Sequence, residues 1–365
     1  MNQNPRVLLL IPHLGGGGAE RVIAELATWL DRSRFDVHVC IATTQGQFSE
    51  TLPSGVEVHA LGASRVRHAA LPLLRLIRRL QPDLLLPGMA HLNFLVLLLR
   101  PFLPRRTRIV VRQNGPVPSQ PSRRITDLCM RLLYPQADAI ICQTATMADD
   151  VASYTGARHN LRVLLNPVNV DEIRNSVLGA HSHWTGPGPH LLAVGRLSHE
   201  KGFDLLLHAL SSLRSRYSGI DLTILGDGRD KCGLVRRAAT LGLKDAVRFA
   251  GHVPNPAEWF SGATLFVAPS RWEGLPNAML EAACAGLPIV ATPARGGMAG
   301  VFAGRPGIWL AGEVSICALE QALQTALDGL EPGQRFAHAW IDDFRSPVAV
   351  RAYEDLIAEI VAAVP

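Results

Sequence analysis

Residues 6–30 read RVLLLIPHLGGGGAERVIAELATWL, and the order of residue types in this stretch decides the fold class. Arg6 to Ile11 is a continuous apolar run that ends in a glycine-rich segment. From Ala19 to Leu30 the apolar residues Val22, Ile23, Leu26 and Leu30 recur at helical spacing. Strand, glycine loop, helix is the opening of a parallel α/β unit, whose strands are buried on both faces and therefore read as unbroken apolar runs.

The same alternation continues along the chain. Strands are expected at 37–42, 83–86, 108–111 and 139–142, with helices at 69–80, 92–99 and 122–133 between them. A second series begins after the polar, Gly/Pro-rich segment HSHWTGPGP (181–189). It has strands at 190–194, 221–225, 247–250, 264–268 and 288–291, and helices at 203–213, 230–240 and 276–285. The fold class is α/β, with two doubly wound Rossmann-like domains, 1–168 and 169–345, facing a central cleft. Loops after the carboxyl ends of the strands are where such sheets bind ligands.

A chain of 365 residues suits two such domains, and 48% hydrophobic against 18% charged residues gives enough apolar surface to fill both cores. No apolar stretch approaches the ~18 residues of a membrane span. The N-terminal run is broken by Pro12 and His13 and lacks a small-residue cleavage site, so a cytoplasmic protein is expected. The six cysteines are far apart, without CxxC or Cys/His ligand spacing, which argues against a zinc site or a disulfide framework and for buried thiols.

Charge is uneven. Residues 1–168 hold 19 basic and 11 acidic residues, and 169–365 hold 17 and 20. The stretch Arg65 to Arg131 has thirteen arginines against Asp83 and Asp127, so an anionic partner is expected there. Without aromatic interleaving or a nucleic-acid motif, nucleic acid is disfavoured. Residues 64–80 join Leu71, Leu74, Ile77 and Leu80 to Arg67, Arg75, Arg78 and Arg79, which suits a helix lying peripherally on an anionic membrane as well as a solvated face on a core-packed helix.

The loops carry the candidate chemistry. Gly15 to Gly18 can bring backbone N–H groups to a phosphate or sugar, with Gly16 and Gly17 as donor-binding candidates, or can serve a tight turn. Glu20 and Arg21 exclude a dinucleotide fingerprint there. In GRLSHEKG (195–202), Gly195 opens a turn where Arg196 and Lys201 could clasp a diphosphate or pair with Glu200. Gly226 and Gly228 fit a turn or a ligand contact. The run PSRWEGLPNAMLEA (269–282) puts Glu273 in a loop and Glu281 about two turns into the next helix. Around Pro276, near the helix start, Gly274, Leu275 and Asn277 offer N–H groups and Asn277 an amide, and the carboxylates can accept from sugar hydroxyls. Alternatively, Glu273 caps the helix and Glu281 sits in a buried ion pair.

These three motifs together resemble the retaining glycosyltransferases of family GT4, which have the GT-B fold: Glu273 to Glu281 as E-x7-E, Arg196 with Lys201 as the basic pair, and Gly15 to Gly18 as the glycine loop. The resemblance implies transfer from a nucleoside diphosphate sugar to an acceptor; a UDP-linked hexose or N-acetylhexosamine is the expected donor, with GDP-mannose next, and a lipid-linked or cell-envelope glycan the expected acceptor. It implies that Arg196 and Lys201 hold the diphosphate, Glu273 the donor sugar and Glu281 the ribose, with catalysis by Arg196, Lys201 and Glu273. It also implies that the final segment, 346–365, crosses back onto the first domain. The family's acceptor-side histidine is replaced: the corresponding strand runs Ile109-Val110-Val111-Arg112-Gln113-Asn114-Gly115, and Asn114 with His91 remain acceptor-side candidates. No D-x-D triplet occurs, so no metal and no cofactor are expected. Competing readings are an epimerase or phosphorylase of the same fold, and a non-catalytic sugar-nucleotide-binding subunit.

Overall fold

The computed structural model describes residues 4–13, 17–43, 52, 55–117 and 124–363. Two compact units emerge, residues 1–168 with 343–365, and residues 169–342.

The first unit runs β1 (Arg6–Ile11), α1 (Gly18–Trp29), β2 (Asp36–Ile41), β3 (Glu57–Ala60), α2 (Ala70–Leu80), β4 (Leu84–Pro87), α3 (Ala90–Leu99), β5 (Arg108–Arg112), α4 (Arg124–Leu133), β6 (Ala139–Cys142), α5 (Ala145–Thr155) and β7 (Leu161–Val163). Its seven strands are parallel, in the order β3-β2-β1-β4-β5-β6-β7. The apolar run that opened the sequence is an interior strand, between β2 and β4. Its side chains alternate between two cores: Val7, Leu9 and Ile11 pack with Val22, Ile23 and Leu26 of α1, while Leu8 and Leu10 pack with Leu73 and Ile77 of α2 and Val96 of α3. Burying each such aliphatic side chain contributes at most about 1.5–3 kcal/mol, which is why the five fully buried positions, Val7 to Ile11, are all apolar.

The second unit runs α6 (Val170–Leu178), β8 (His190–Val194), α7 (Phe203–Leu213), β9 (Asp221–Leu225), α8 (Lys231–Thr240), β10 (Val247–Gly251), β11 (Leu265–Ala268), α9 (Asn277–Cys284), β12 (Ile289–Ala291), α10 (Met298–Phe302), β13 (Ile308–Leu310) and α11 (Ile316–Gly329). Its six strands are again parallel, in the order β10-β9-β8-β11-β12-β13. The direction of winding therefore reverses between β8 and β11.

The chain leaves the first unit at Val168 and returns beside it: the Val168 N–H donates to the Phe344 carbonyl at 2.8 Å, and the Ser346 N–H donates to the Val168 carbonyl at 2.9 Å. The last helix, α12 (Ser346–Ala362), then lays Val350, Tyr353, Ile357 and Ile360 into the core under α1. Its buried Glu354 accepts from the Asp31 N–H at 2.7 Å and from Arg34 at 2.9 Å.

Two expectations need correction. Within α2 the stripe Leu73, Leu76 and Ile77 faces the core, so of the four apolar positions proposed for a membrane face only Leu71 is exposed. The spacing i, i+3, i+4 made that stripe ordinary core packing. A group of three exposed apolar side chains lies instead on α4, where Ile125, Leu128 and Leu132 are 56–78% accessible. The thiols also divide: Cys40, Cys142 and Cys284 are buried, but Cys232 and Cys317 are exposed. Among the described residues, no helix is long and apolar enough to cross a membrane.

Candidate functional site

In the second unit, the loops following β8 and β11 come together at the carboxyl ends of the two strands flanking the reversal of winding, where open parallel sheets bind ligands. Gly195 follows β8 directly, and Arg196 projects to solvent. A short 3-10 turn, His199–Lys201, then presents Lys201, and Gly202 adopts a left-handed conformation, φ 66°. This glycine is obligatory twice over: a side chain would be strained at that φ, and its Cβ would collide with the Pro269 carbonyl oxygen. The close approach brings the two loops together.

Lys201 Nζ donates to Glu273 Oε2. The same carboxylate oxygen accepts from the Ser270 hydroxyl at 3.3 Å. Both charged side chains are mostly covered, with 22% and 17% of their surfaces accessible, so the pair sits in a less polar setting than a surface ion pair. Val194, Ala268, Ser270 and Met279 line a small pocket beside Lys201. Glu273 is fixed from behind, its N–H donating to the Arg295 carbonyl at 2.9 Å, while Thr292 Oγ1 donates to the Ser270 carbonyl at 2.5 Å.

These contacts decide between the alternatives left by the sequence. Glu273 does not cap the helix: α9 has Pro276 at its N-cap and no side-chain cap, and the Glu273 carboxylate turns to Lys201. Lys201 does not pair with Glu200, which Arg229 approaches at 3.9 Å. Glu200 nevertheless lies below the usual carboxylate range: burial opposes this, but hydrogen bonds from Ser198 and its own backbone, with the charges of Arg196 and Arg229, prevail. Gly226 and Gly228 serve backbone packing, since a Cβ on either would strike the Gly195 or Leu197 carbonyl. Gly274, Leu275 and Pro276 are buried, Asn277 is half-buried as the first residue of α9, and Glu281 is buried about one turn into the helix rather than two.

The loop is braced by a residue pair that the sequence did not single out. Arg271 donates bidentately to Asp204 of α7, both bonds at 2.7 Å, and also to the His199 carbonyl at 2.9 Å. Although burial works against it, the Arg271 hydrogen bonds and charge hold the Asp204 carboxyl below its usual range. Nothing in the spacing of residues 204 and 271 announces this contact; only the packing of α7 under the β11 loop creates it. Ser270, by contrast, adjoins the carboxylate motif and was open to recognition as a polar group beside Glu273.

In the first unit, Leu14 to Gly16 lie outside the described residues, so the place of Gly16 is not described. Gly17 is the N-cap of α1, and a Cβ there would meet the buried Glu20 carboxylate, whose Oε1 lies 3.8 Å from His13 Nδ1. His91 is the second residue of α3 and is exposed, yet partial desolvation and then the neighbouring His13 hold its imidazole below the ordinary value. Asn114 follows β5 in a buried polar network. Its Nδ2 donates to the Gly88 carbonyl at 2.5 Å, and its Oδ1 accepts from the buried Arg112 guanidinium, which also donates to Asn166. Asn93 and Tyr134 continue the network to Gln113 at 2.9–3.0 Å.

Comparison with known proteins bears on both units. The family described as Glycosyltransferase Family 4 matches residues 16–172, and that described as Glycosyl transferases group 1 matches residues 188–329. The chain belongs to the GT4 glycosyltransferases. The glycosyltransferase is 26% identical, over 80% of its length and 82% of the relative's, to N-acetylgalactosamine-N,N'-diacetylbacillosaminyl-diphospho-undecaprenol 4-alpha-N-acetylgalactosaminyltransferase of Campylobacter jejuni. It is 28% identical, over 78% of each chain, to the lipopolysaccharide core biosynthesis glycosyltransferase LpsE of Rhizobium meliloti. Among solved structures, it resembles Anabaena HepE in complex with UDP and glucose, with TM-score 0.77, 18% identity and coverage of 98% of this chain and 99% of that one. It also resembles sucrose-phosphate synthase from Thermosynechococcus elongatus, with TM-score 0.81, 16% identity and coverage of 99% and 100%. Its fold is GT-B.

Proposed function

We propose that this glycosyltransferase moves a hexosyl or N-acetylhexosaminyl group, with retention and without a metal ion, from a UDP-linked donor to a lipid-linked or cell-envelope glycan. The observation that carries this reading is the convergence of Lys201, Glu273, Ser270 and the start of α9 on the strand ends where the winding of the second sheet reverses. Glu281 binds the ribose hydroxyls, Glu273 the donor sugar, and Arg196 with Lys201 the diphosphate. As the bond from the anomeric carbon to the diphosphate breaks, negative charge grows on the leaving oxygen, and the Arg196 guanidinium and Lys201 ammonium stabilise it. The acceptor oxygen bonds to the same face of that carbon, and its proton passes to a departing phosphate oxygen. On the first unit, His91 and Asn114 are the proposed acceptor-side groups.

The acceptor class draws support from the C. jejuni relative, whose name places its acceptor on diphospho-undecaprenol, and from the lipopolysaccharide role in the name of LpsE. UDP as donor base draws support from the HepE complex. We further propose that the first unit rests peripherally on the cytoplasmic face of an anionic membrane through the exposed apolar residues of α4, helped by the exposed Arg67, Arg75, Arg78 and Arg79. The test of function is incubation with UDP-hexose and UDP-N-acetylhexosamine, lipid extract and EDTA. Release of UDP coupled to an α-linked lipid product is expected; activity that needs added Mg²⁺ or Mn²⁺, or an inverted product, contradicts the scheme.

A further inference from the structure

At the edge of the first sheet, β2 and β3 place three metal-ligating side chains on one face. His38 and Glu57 are direct cross-strand partners, and His59 lies two residues beyond Glu57, so the strand period returns it to the same side. His38 Nδ1 and His59 Nε2 are 3.1 Å apart, and Glu57 Oε2 lies 3.4 Å from the first and 3.8 Å from the second. Ligand atoms about 2.0–2.2 Å from a tetrahedral zinc ion are separated from one another by roughly 3.3–3.5 Å, so the three observed separations bracket the edges of such a site.

The surroundings match a metal site as well. His38 is 4% accessible, and its other ring nitrogen, Nε2, lies 3.1 Å from Asp36 Oδ1. Asp36 is in turn held by Arg6, whose Nε donates to Oδ2 at 2.7 Å. A carboxylate behind a ligating histidine fixes its tautomer and aims its lone pair at the ion. Arg79, the cation whose field reaches His59, is exposed and screened by water. Two imidazoles with one carboxylate favour a borderline transition-metal ion over Mg²⁺ or Ca²⁺.

We propose that His38, Glu57 and His59 bind one divalent ion of the Zn²⁺ class, with water in the fourth position and Asp36 as the positioning residue. The ion clips the short edge strand β3 to β2. Since Asp36, His38 and Glu57 stand in the first halves of their strands, the site is at the opposite end of the sheet from the loops that follow β1 and β5, and its role is structural.

The test uses full-length protein stripped with chelator and then freed of it. Co²⁺ titration should give the visible absorption of a tetrahedral complex at one equivalent, Zn²⁺ should displace the Co²⁺, and tenfold excess Mg²⁺ should not. Zn²⁺ should raise the unfolding midpoint of the stripped protein, as any ion binding only the folded state must. His59→Ala and Glu57→Gln should each weaken Co²⁺ at least tenfold, and Asp36→Asn about 10–100-fold. Glu57 is 71% accessible on its side chain, so Glu57→Gln leaves folding intact even if a histidine variant does not. A plain hydrogen bond between the two rings, with no metal function, predicts no tetrahedral spectrum; that result, or an affinity unchanged in Glu57→Gln, overturns the proposal.

Discussion

Lys201 and Glu273 form a direct ion pair, so one hydrogen bond joins the side chain assigned to the diphosphate to the side chain assigned to the donor sugar, although their loops follow different strands. Each is therefore oriented by the other. A substitution at one changes the other's charge environment, and the two should not act independently.

In a double-mutant cycle, Lys201→Ala should lower the turnover rate about 10²–10³-fold, in line with the loss of one preorganised donor to the leaving group. Adding Glu273→Gln to it should cost less than Glu273→Gln costs alone. Steady-state rates of UDP release measure both. Strict additivity, or full turnover of Lys201→Ala, would remove the pair from the mechanism.

Gly202→Ala should destabilise the second unit and disturb its binding loops together. The left-handed φ alone costs about 1–2 kcal/mol for a residue with a Cβ, and the collision with Pro269 adds to it. Thermal unfolding and UDP calorimetry should both deteriorate, whereas Gly233→Ala, which meets nothing within 4 Å, should be harmless. Equal behaviour of the two variants would show that the loops are not held by this approach.

The Arg271–Asp204 bridge gives stability a defined acid limit. Asp204 has a lowered pKa in the folded state, so its contribution is fully present above the unfolded carboxyl value of about 4 and is lost as pH falls through the lower folded value. Asp204→Asn should reduce stability at neutral pH by about 1.5–3 kcal/mol and flatten the decline below pH 4. Urea unfolding across pH 2–7 reads both effects; an unchanged acid slope would mean that the bridge is screened.

For the membrane face, replacing Ile125, Leu128 and Leu132 by Ser should abolish sedimentation with anionic vesicles, while replacing Arg67, Arg75, Arg78 and Arg79 by Gln should weaken it and blunt its salt dependence. Each basic residue near an anionic leaflet contributes about 1 kcal/mol. Undiminished sedimentation of the serine variant would return α4 to the category of an ordinary solvent-exposed helix.

The central strands were legible because burial on both faces leaves an unbroken apolar run: 139–142, 190–194 and 221–225 were bounded correctly from sequence. The edge strand β3, EVHA, was not expected, because with one exception its side chains face water and carry no such run. The helix α11 carries a usable helical signal, Leu319, Leu323 and Ala326 along one face, yet falls outside the elements expected above. At the site, residues adjacent in sequence were found, whereas the Lys201–Glu273 and Arg271–Asp204 pairs depend on how two loops fold against each other across about seventy positions. The arginine excess was misleading in part: Arg100 and Arg108 both pair with Asp138, and Arg112 is buried among amides.

The measurement that tests the account most directly is calorimetry of UDP, GDP and ADP binding in EDTA, on the parent protein and on Glu281→Gln and Glu273→Gln. The account predicts that UDP binds best, that Glu281→Gln weakens it about 10- to 150-fold as a charged hydrogen bond to the ribose is lost, and that Glu273→Gln leaves it nearly unchanged. Failure of all three nucleotides to bind, or UDP affinity unaltered by Glu281→Gln, would contradict it.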